Sequence, residues 1–253
     1  MRIVVIVLVV LALIAAGVYG YARITRALPL HSISIEGADH LTDDEKSALA
    51  QIPADSTVLD VDTAAIKANF LMDAWVKDVS VNVVLPDSLV VNVTEREIGA
   101  IVEMKSADGS SVTNWALSTD GVWLMPIPDR DSEAGQRTSS RIYEDADAAI
   151  HILNVPYSTN PQIGVICSDS NVNNAVEILN GMTTELADQV KNVSATDAES
   201  TTLLLQNGVE IAFGTATDIR AKERVCLELL SEHEGEIAYI NVRTVSRPTW
   251  RTL

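Results

Sequence analysis

Aromatic residues make up only 4% of this 253-residue chain, and cysteine is scarcer still, with Cys167 and Cys226 alone. Two cysteines cannot supply a disulfide framework, so apolar burial must carry the fold. Basic residues are outnumbered, 18 Lys and Arg against 35 Asp and Glu, for a formal charge of -17. The first 26 residues hold Arg2, Arg23 and Arg26 and no acid, so the remainder is more acidic still. A surface of that sign repels phosphate backbones and anionic headgroups, which argues against nucleic acid as a partner. The histidines (His31, His40, His151 and His233) have no metal-ligand spacing to one another or to the cysteines. No G-x-S-x-G, phosphate loop or dinucleotide fingerprint occurs. Neither a cofactor nor a catalytic set is expected, so the chain reads as a binding protein and not an enzyme.

Apolar residues are plentiful, at 47%. Ile3 to Ala22 carries no charge, and at helical rise about twenty residues span a hydrocarbon core of roughly 30 Å. Tyr19 and Tyr21 sit where interfacial aromatics are common, and Arg23 and Arg26 close the run. The rival reading is a cleaved signal peptide ending at Val18-Tyr19-Gly20, but the run is long for a signal core and the site is a poor A-x-A match. Arginines flank both ends, so charge does not set the orientation.

Trp75 to Glu97 reads as a hairpin. Val79, Val81, Val83 and Leu85 share one face of its first strand, and Leu89, Val91 and Val93 one face of its second. Leu85-Pro86-Asp87-Ser88 forms the turn, with Pro86 presetting a dihedral and Asp87 and Ser88 able to bond their own backbone. Upstream, His31 to Glu36 alternates with Ile33 and Ile35 inward, and Gly37 ends it. Thr42 and Glu45 form a capping box for a helix to about Ala50. Asp62 or Thr63 caps a second helix, presenting Ile66 and Phe70. Asp60-Val61-Asp62 therefore reads as a loop with a cap, and Asp39-His40 as a turn.

Downstream, Ala100 to Met104 extends a sheet. Trp115 to Leu117 and Val122 to Pro126 flank a Thr119-Asp120-Gly121 turn. Asp129 to Asp147 is charged and without period, a surface loop. Gln162 to Cys167 reads as a buried strand, and Asn174 to Leu186 as a helix. Asn207-Gly208 joins two strands, Leu203–Gln206 and Val209–Phe213. A helix from about Asp218 to Ser231 follows, turning Ile219, Cys226, Leu229 and Leu230 inward, and Ile237 to Val242 is a last strand and a candidate sheet edge. Both cysteines sit in apolar runs, where a thiol acts as a small hydrophobe, although an oxidising space would let them pair. Asn92-Val93-Thr94 and Asn192-Val193-Ser194 match the glycosylation sequon by pattern only.

The segments IEGADHLTDDE, TVLDVDTAAIKANFL and DAWVKDVSVNVVLPDSLVVNVTERE resemble the POTRA domain of the FtsQ/DivIB family of bacterial cell-division proteins. The resemblance rests on Gly37, Trp75, Pro86, Thr94, Glu95 and Arg96, behind one apolar run. LLLQNGVEIAFG, AKERVCLELL and IAYINVR resemble the end of that family's β domain. It implies an α+β chain: a short tail and transmembrane helix over 1–26, a β-α-α-β-β POTRA domain over 27–97, a mainly antiparallel β domain with two helices over 98–247, and a tail over 248–253. It further implies a single-pass cell-membrane protein with a cytoplasmic N-terminus, extracytoplasmic domains and enrichment at the division septum. Such a protein would be a non-enzymatic scaffold linking early division proteins to septal wall synthesis. Its implied partners are bitopic coiled-coil division proteins of the FtsB/DivIC and FtsL type. Carried over by position, Arg243 would face a partner acid, flanked by Tyr239, Ile240, Val242, Thr244 and Trp250. The alternative is a POTRA-containing, membrane-anchored accessory of protein export or envelope assembly, which usually carries several such repeats or a barrel.

Overall fold

The computed structural model describes residues 10–17, 28–106 and 108–252. Residues 10–17 are helical, and the rest of the apolar run Ile3–Ala22 lies outside the described residues. Among the described residues no helix is long and apolar enough to cross a membrane. The chain divides into two compact units, Met1–Glu95 and Arg96–Leu253.

The first unit contains β1 (Ser32–Glu36), α1 (Asp43–Ala50), α2 (Thr63–Phe70), β2 (Val76–Val84) and β3 (Ser88–Glu95). Its three strands lie in the order β1-β3-β2, with β1 parallel and β2 antiparallel to β3. Thr42 accepts from the Glu45 N–H while Glu45 reaches back to the Thr42 backbone, the expected capping box. Asp62 caps α2 by accepting from the Ala65 N–H at 2.9 Å. Ile66, Phe70, Val76, Val79, Leu89, Val91 and Val93 fill the core. The inward row is shorter than the alternation predicts: Ile33, Val83 and Leu85 are exposed, because β1 is an edge and the hairpin projects past its cover.

The second unit is built on one nine-stranded sheet. Its strands are β4 (Ile98–Lys105), β5 (Val112–Ser118), β6 (Trp123–Pro126), β7 (His151–Leu153), β8 (Val190–Ser194), β9 (Thr202–Leu205), β10 (Glu210–Ala212), β11 (Ile237–Asn241) and β12 (Thr249–Thr252). Their order is β12-β11-β10-β9-β8-β7-β4-β5-β6. The pairs β10·β11, β4·β7 and β7·β8 are parallel and the others antiparallel, so the sheet is mainly antiparallel as expected. Among the described residues five helices accompany it, not two: α3 (Glu133–Arg137), α4 (Ser140–Ala148), α5 (Ser170–Gly181), α6 (Thr184–Ala187) and α7 (Ile219–Glu232).

Side chains alternate across this sheet. Ala100, Val102, Ile152, Val193, Leu203, Leu205, Ile211 and Ile240 join residues of α5 and α7, such as Val172, Ile178, Cys226 and Leu229, in one core. Ile101 points the other way and lines a cavity with Tyr143 and Ala146 of α4. Cys167 and Cys226 are both buried free thiols, the small-hydrophobe reading.

Three expectations fail here. Residues 129–147 are not a bare loop: they hold α3, capped by Ser132, and most of α4, which buries Ile142 and Ala146. One bulky apolar residue per two turns was too little to show a period. The expected helix 174–186 starts earlier, behind an Asp169 cap, and breaks at Met182-Thr183 into α5 and α6. Gln162–Cys167 is not a buried strand: Ile163, Val165 and Ile166 are exposed. Its backbone instead lies along the β6 edge, with Gly164 N–H to Trp123 O at 2.8 Å, Trp123 N–H to Val165 O at 3.0 Å and Cys167 N–H to Gly121 O at 2.7 Å.

Candidate partner-binding site

The opposite end of the sheet is finished differently. Residues 249–252, expected as a tail, form β12 and pair antiparallel with β11, so Ile237–Asn241 is not the edge. Pro248 ends a turn closed by the Arg247 N–H on Thr244 O, and the chain then folds back. All four β12 residues are exposed, and no strand of the described residues lies outside them.

Register places a row of side chains on the face of the sheet away from α5 and α7. Asn192 pairs with Leu204, Leu204 with Glu210, Glu210 with Tyr239, and Tyr239 with Arg251. The Arg251 guanidinium lies 4.4 Å from the centroid of the Tyr239 ring, a cation–π contact that fixes both at the rim. Trp250 pairs with Ile240 and so points to the other face, where it stacks on His233 at the end of α7 with centroids 5.4 Å apart. Its indole is still 43% exposed. Arg243 is exposed. Its backbone N–H donates to Asn241 Oδ1 at 3.2 Å. Its side chain leans over Gly214, where a Cβ would come within 2.9 Å of Arg243 Cγ and φ is +76°. Among the described residues no carboxylate lies within ion-pair distance of its guanidinium.

Of the predicted contact residues, Tyr239, Arg243, Thr244 and Trp250 reach the surface, whereas Ile240 and Val242 are fully buried core residues. Strand alternation and the cover of α7 turn those two inward, so their side chains offer a partner nothing. Arg251 escaped the sequence reading, since its place over the Tyr239 ring comes from a strand pairing that the tail's composition does not announce.

The POTRA signature residues act structurally. Gly37 has φ +75°, and a Cβ there would lie 2.3 Å from the Val93 carbonyl oxygen. Pro86 is at the hairpin tip, and Thr94 is exposed on β3. Glu95 closes the hairpin by bonding back across the unit: its carboxylate accepts from the backbone N–H groups of Asp39 (3.1 Å) and His40 (3.0 Å) and from His40 Nδ1 (2.6 Å). The imidazole in turn stacks on Trp75 at 4.2 Å and 9°. Nearby, burial pushes the Asp73 carboxyl up against the Trp75 N–H that holds it down, with Glu45 and Glu95 adding repulsion. Arg96 opens the second unit, with Nε 3.2 Å from Asp120 Oδ2. Burial resists ionisation of Asp120, but the Ser118 hydroxyl and Arg96 outweigh it and hold the carboxyl below its usual range.

The site offers shape, an edge and cations, and among the described residues no group of three or more His, Cys, Asp or Glu could hold a metal. A two-helix, three-stranded unit followed by a mixed nine-stranded sheet defines a POTRA-plus-β-domain protein. Residues 28–96 match the family model described as POTRA domain, FtsQ-type, and residues 117–243 match that described as cell division protein FtsQ/DivIB, C-terminal. The chain belongs to the FtsQ/DivIB family of cell division proteins. No curated protein matches it.

Proposed function

We propose that this division protein is a single-pass scaffold of the cell membrane, anchored by Ile3–Ala22, with a cytoplasmic N-terminus and extracytoplasmic domains at the septum. It acts by contact, not catalysis, and links early division proteins to septal wall synthesis. The observation that carries the reading is the open β12 edge, flanked by Tyr239, Arg243, Thr244, Trp250 and Arg251. A partner segment adds there as a further strand, main-chain bonds giving affinity and flanking side chains giving specificity. The partner is a bitopic coiled-coil division protein of the FtsB/DivIC or FtsL type, and a segment carrying acids meets Arg243 and Arg251.

Capture of such a purified partner by the membrane-reconstituted full chain tests this. Trp250→Ala with Arg251→Glu alters only exposed side chains, so the fold persists, and the expected loss of affinity is at least about tenfold, or roughly 1.4 kcal/mol. Deleting residues 248–252 should abolish capture. Undiminished capture by both variants would sink the edge reading.

A further inference from the structure

The hairpin tip of the first unit is apolar and uncovered. Leu85 is 69% exposed, Val84 47% and Val83 37%. Val79–Pro86 contains no charge, in a chain whose residues are 21% charged. Such a patch on an acidic protein marks a contact surface. Its position names what it contacts. The parallel register Ser32↔Ser88 sets the tip beside the start of β1, with the His31 N–H bonded to Asp87 O at 2.8 Å. A second loop meets the entering chain at the same end, through Leu30 N–H to Ser56 O at 3.0 Å and Val58 N–H to Leu28 O at 3.1 Å, and it exposes Leu59 by 45%. His31 lies only nine residues beyond Ala22, the end of the apolar run, a reach of roughly 30 Å when fully extended. Arg23 and Arg26 lie in that link.

We propose that the β2–β3 hairpin tip is a second membrane contact: Val84 and Leu85, with Leu59 beside the entering chain, dip into the lipid interface on the side where the chain leaves the bilayer. This rests on Ile3–Ala22 being a membrane anchor. The tip holds the first unit against the surface, so the strands stand on the bilayer instead of swinging from the link. Asp87 stands at the tip 3.8 Å from His31, and Asp60 follows Leu59 in the chain, so apolar insertion, not charge attraction, drives the contact.

The full chain, reconstituted in vesicles of phosphatidylethanolamine and phosphatidylglycerol, provides the test. A polarity-sensitive fluorophore is placed at Leu85→Cys, and at Asp44→Cys, an exposed helix position, as the control. Both native thiols are buried, and burial pushes Cys226 up to about 12, so labelling selects the new cysteine. Lipids carrying a spin-label quencher near the headgroup should quench the probe at position 85 and blue-shift its emission, leaving position 44 unchanged. A reporter at Asp87→Cys should lose its quenching when Val84→Asp and Leu85→Asp are added. If the chain floats with the vesicles but position 85 is unquenched, the tip proposal falls and the anchor stands. If the chain does not float with the vesicles, both fall.

Discussion

The two compact units bury polar groups in opposite ways. In the first, His40 and Glu95 are 8% and 9% exposed and face each other directly, tying the turn before α1 to the last residue of β3. In the second, Lys222 and Glu223 are adjacent on α7, 1% and 3% exposed, and do not pair with each other; Glu223 meets Arg220 Nη1 at 3.2 Å. Lys222 Nζ donates to Thr215 O at 2.7 Å and lies 5.1 Å from the centroid of the Phe213 ring. Glu223 accepts from the Thr183 N–H at 2.7 Å and from the Thr183 hydroxyl, holding the loop ahead of α6. The small core of the first unit needs a mutual pair as a clasp. The large core of the second ties each of these groups to a loop, and only Glu223 also meets a cation, the exposed Arg220 one turn before it.

The sharpest break of this contrast is Glu95→Ala. It takes the shared acceptor from the exposed N–H of Asp39 and from the part-buried N–H and imidazole of His40. Losing one partner of such a pair costs roughly 3–5 kcal/mol. Hydrogen exchange at Val91 and Val93 should quicken accordingly while the amides of Leu203 and Ile211 keep their protection. A uniform change across both units, or a loss below about 1 kcal/mol, would mean the pair is not the clasp.

In the second unit, burial is the largest influence on the Cys226 thiol. It raises the Cys226 thiol from 9.0 to about 12, with Glu223 adding repulsion and Lys222 opposing it. Between those values the unfolded chain releases a proton that the folded chain keeps, so stability is full below pH 9 and falls as pH climbs. At about 1.4 kcal/mol per pH unit, the loss reaches roughly 2 kcal/mol by about pH 10.5. Denaturant titrations across this range should show a steeper alkaline fall for the native chain than for Cys226→Ala. Parallel curves would overturn the account.

What the sequence made legible was local. The Thr42–Glu45 box, the Asp62 cap, the alternation of β3 and the Asn207-Gly208 turn are each written within a few residues and stand as read, whereas the inward row of β2 gives out before Val83. The clasp was not legible, because His40 and Glu95 are 55 positions apart and each has an ordinary local role. Residues 162–167 misled because Ile163, Val165 and Ile166 face outward, while the backbone lies along β6. At the candidate site the same limit held: Tyr239 and Arg243 were expected as contacts by family resemblance alone, and the structure places both at the surface. The edge itself was misplaced by one strand, because Thr249–Thr252 has no alternation to distinguish four residues of strand from a tail.

The smallest effect is the most discriminating. Burial pulls the Lys222 ammonium below its ordinary 10.5, with Asp218 opposing. Its desolvation is therefore a standing cost that the Thr215 carbonyl and the Phe213 face offset. Lys222→Met keeps most of the apolar stem but is one atom shorter, gives up the ammonium over the Phe213 ring, sheds that cost and leaves one carbonyl without its donor. Exchanging buried charge for a well-packed apolar chain is often close to neutral, so the change in unfolding free energy should lie within about 1 kcal/mol of zero. The pH response supplies a second reading. A lowered lysine makes the fold gain stability as pH rises from the folded value toward 10.5. That gain, opposite in sign to the Cys226 loss, should vanish in the Met variant and steepen its alkaline fall. A loss above about 3 kcal/mol, the cost of breaking a buried pair, would make Lys222 a clasp like Glu95 and erase the contrast between the units.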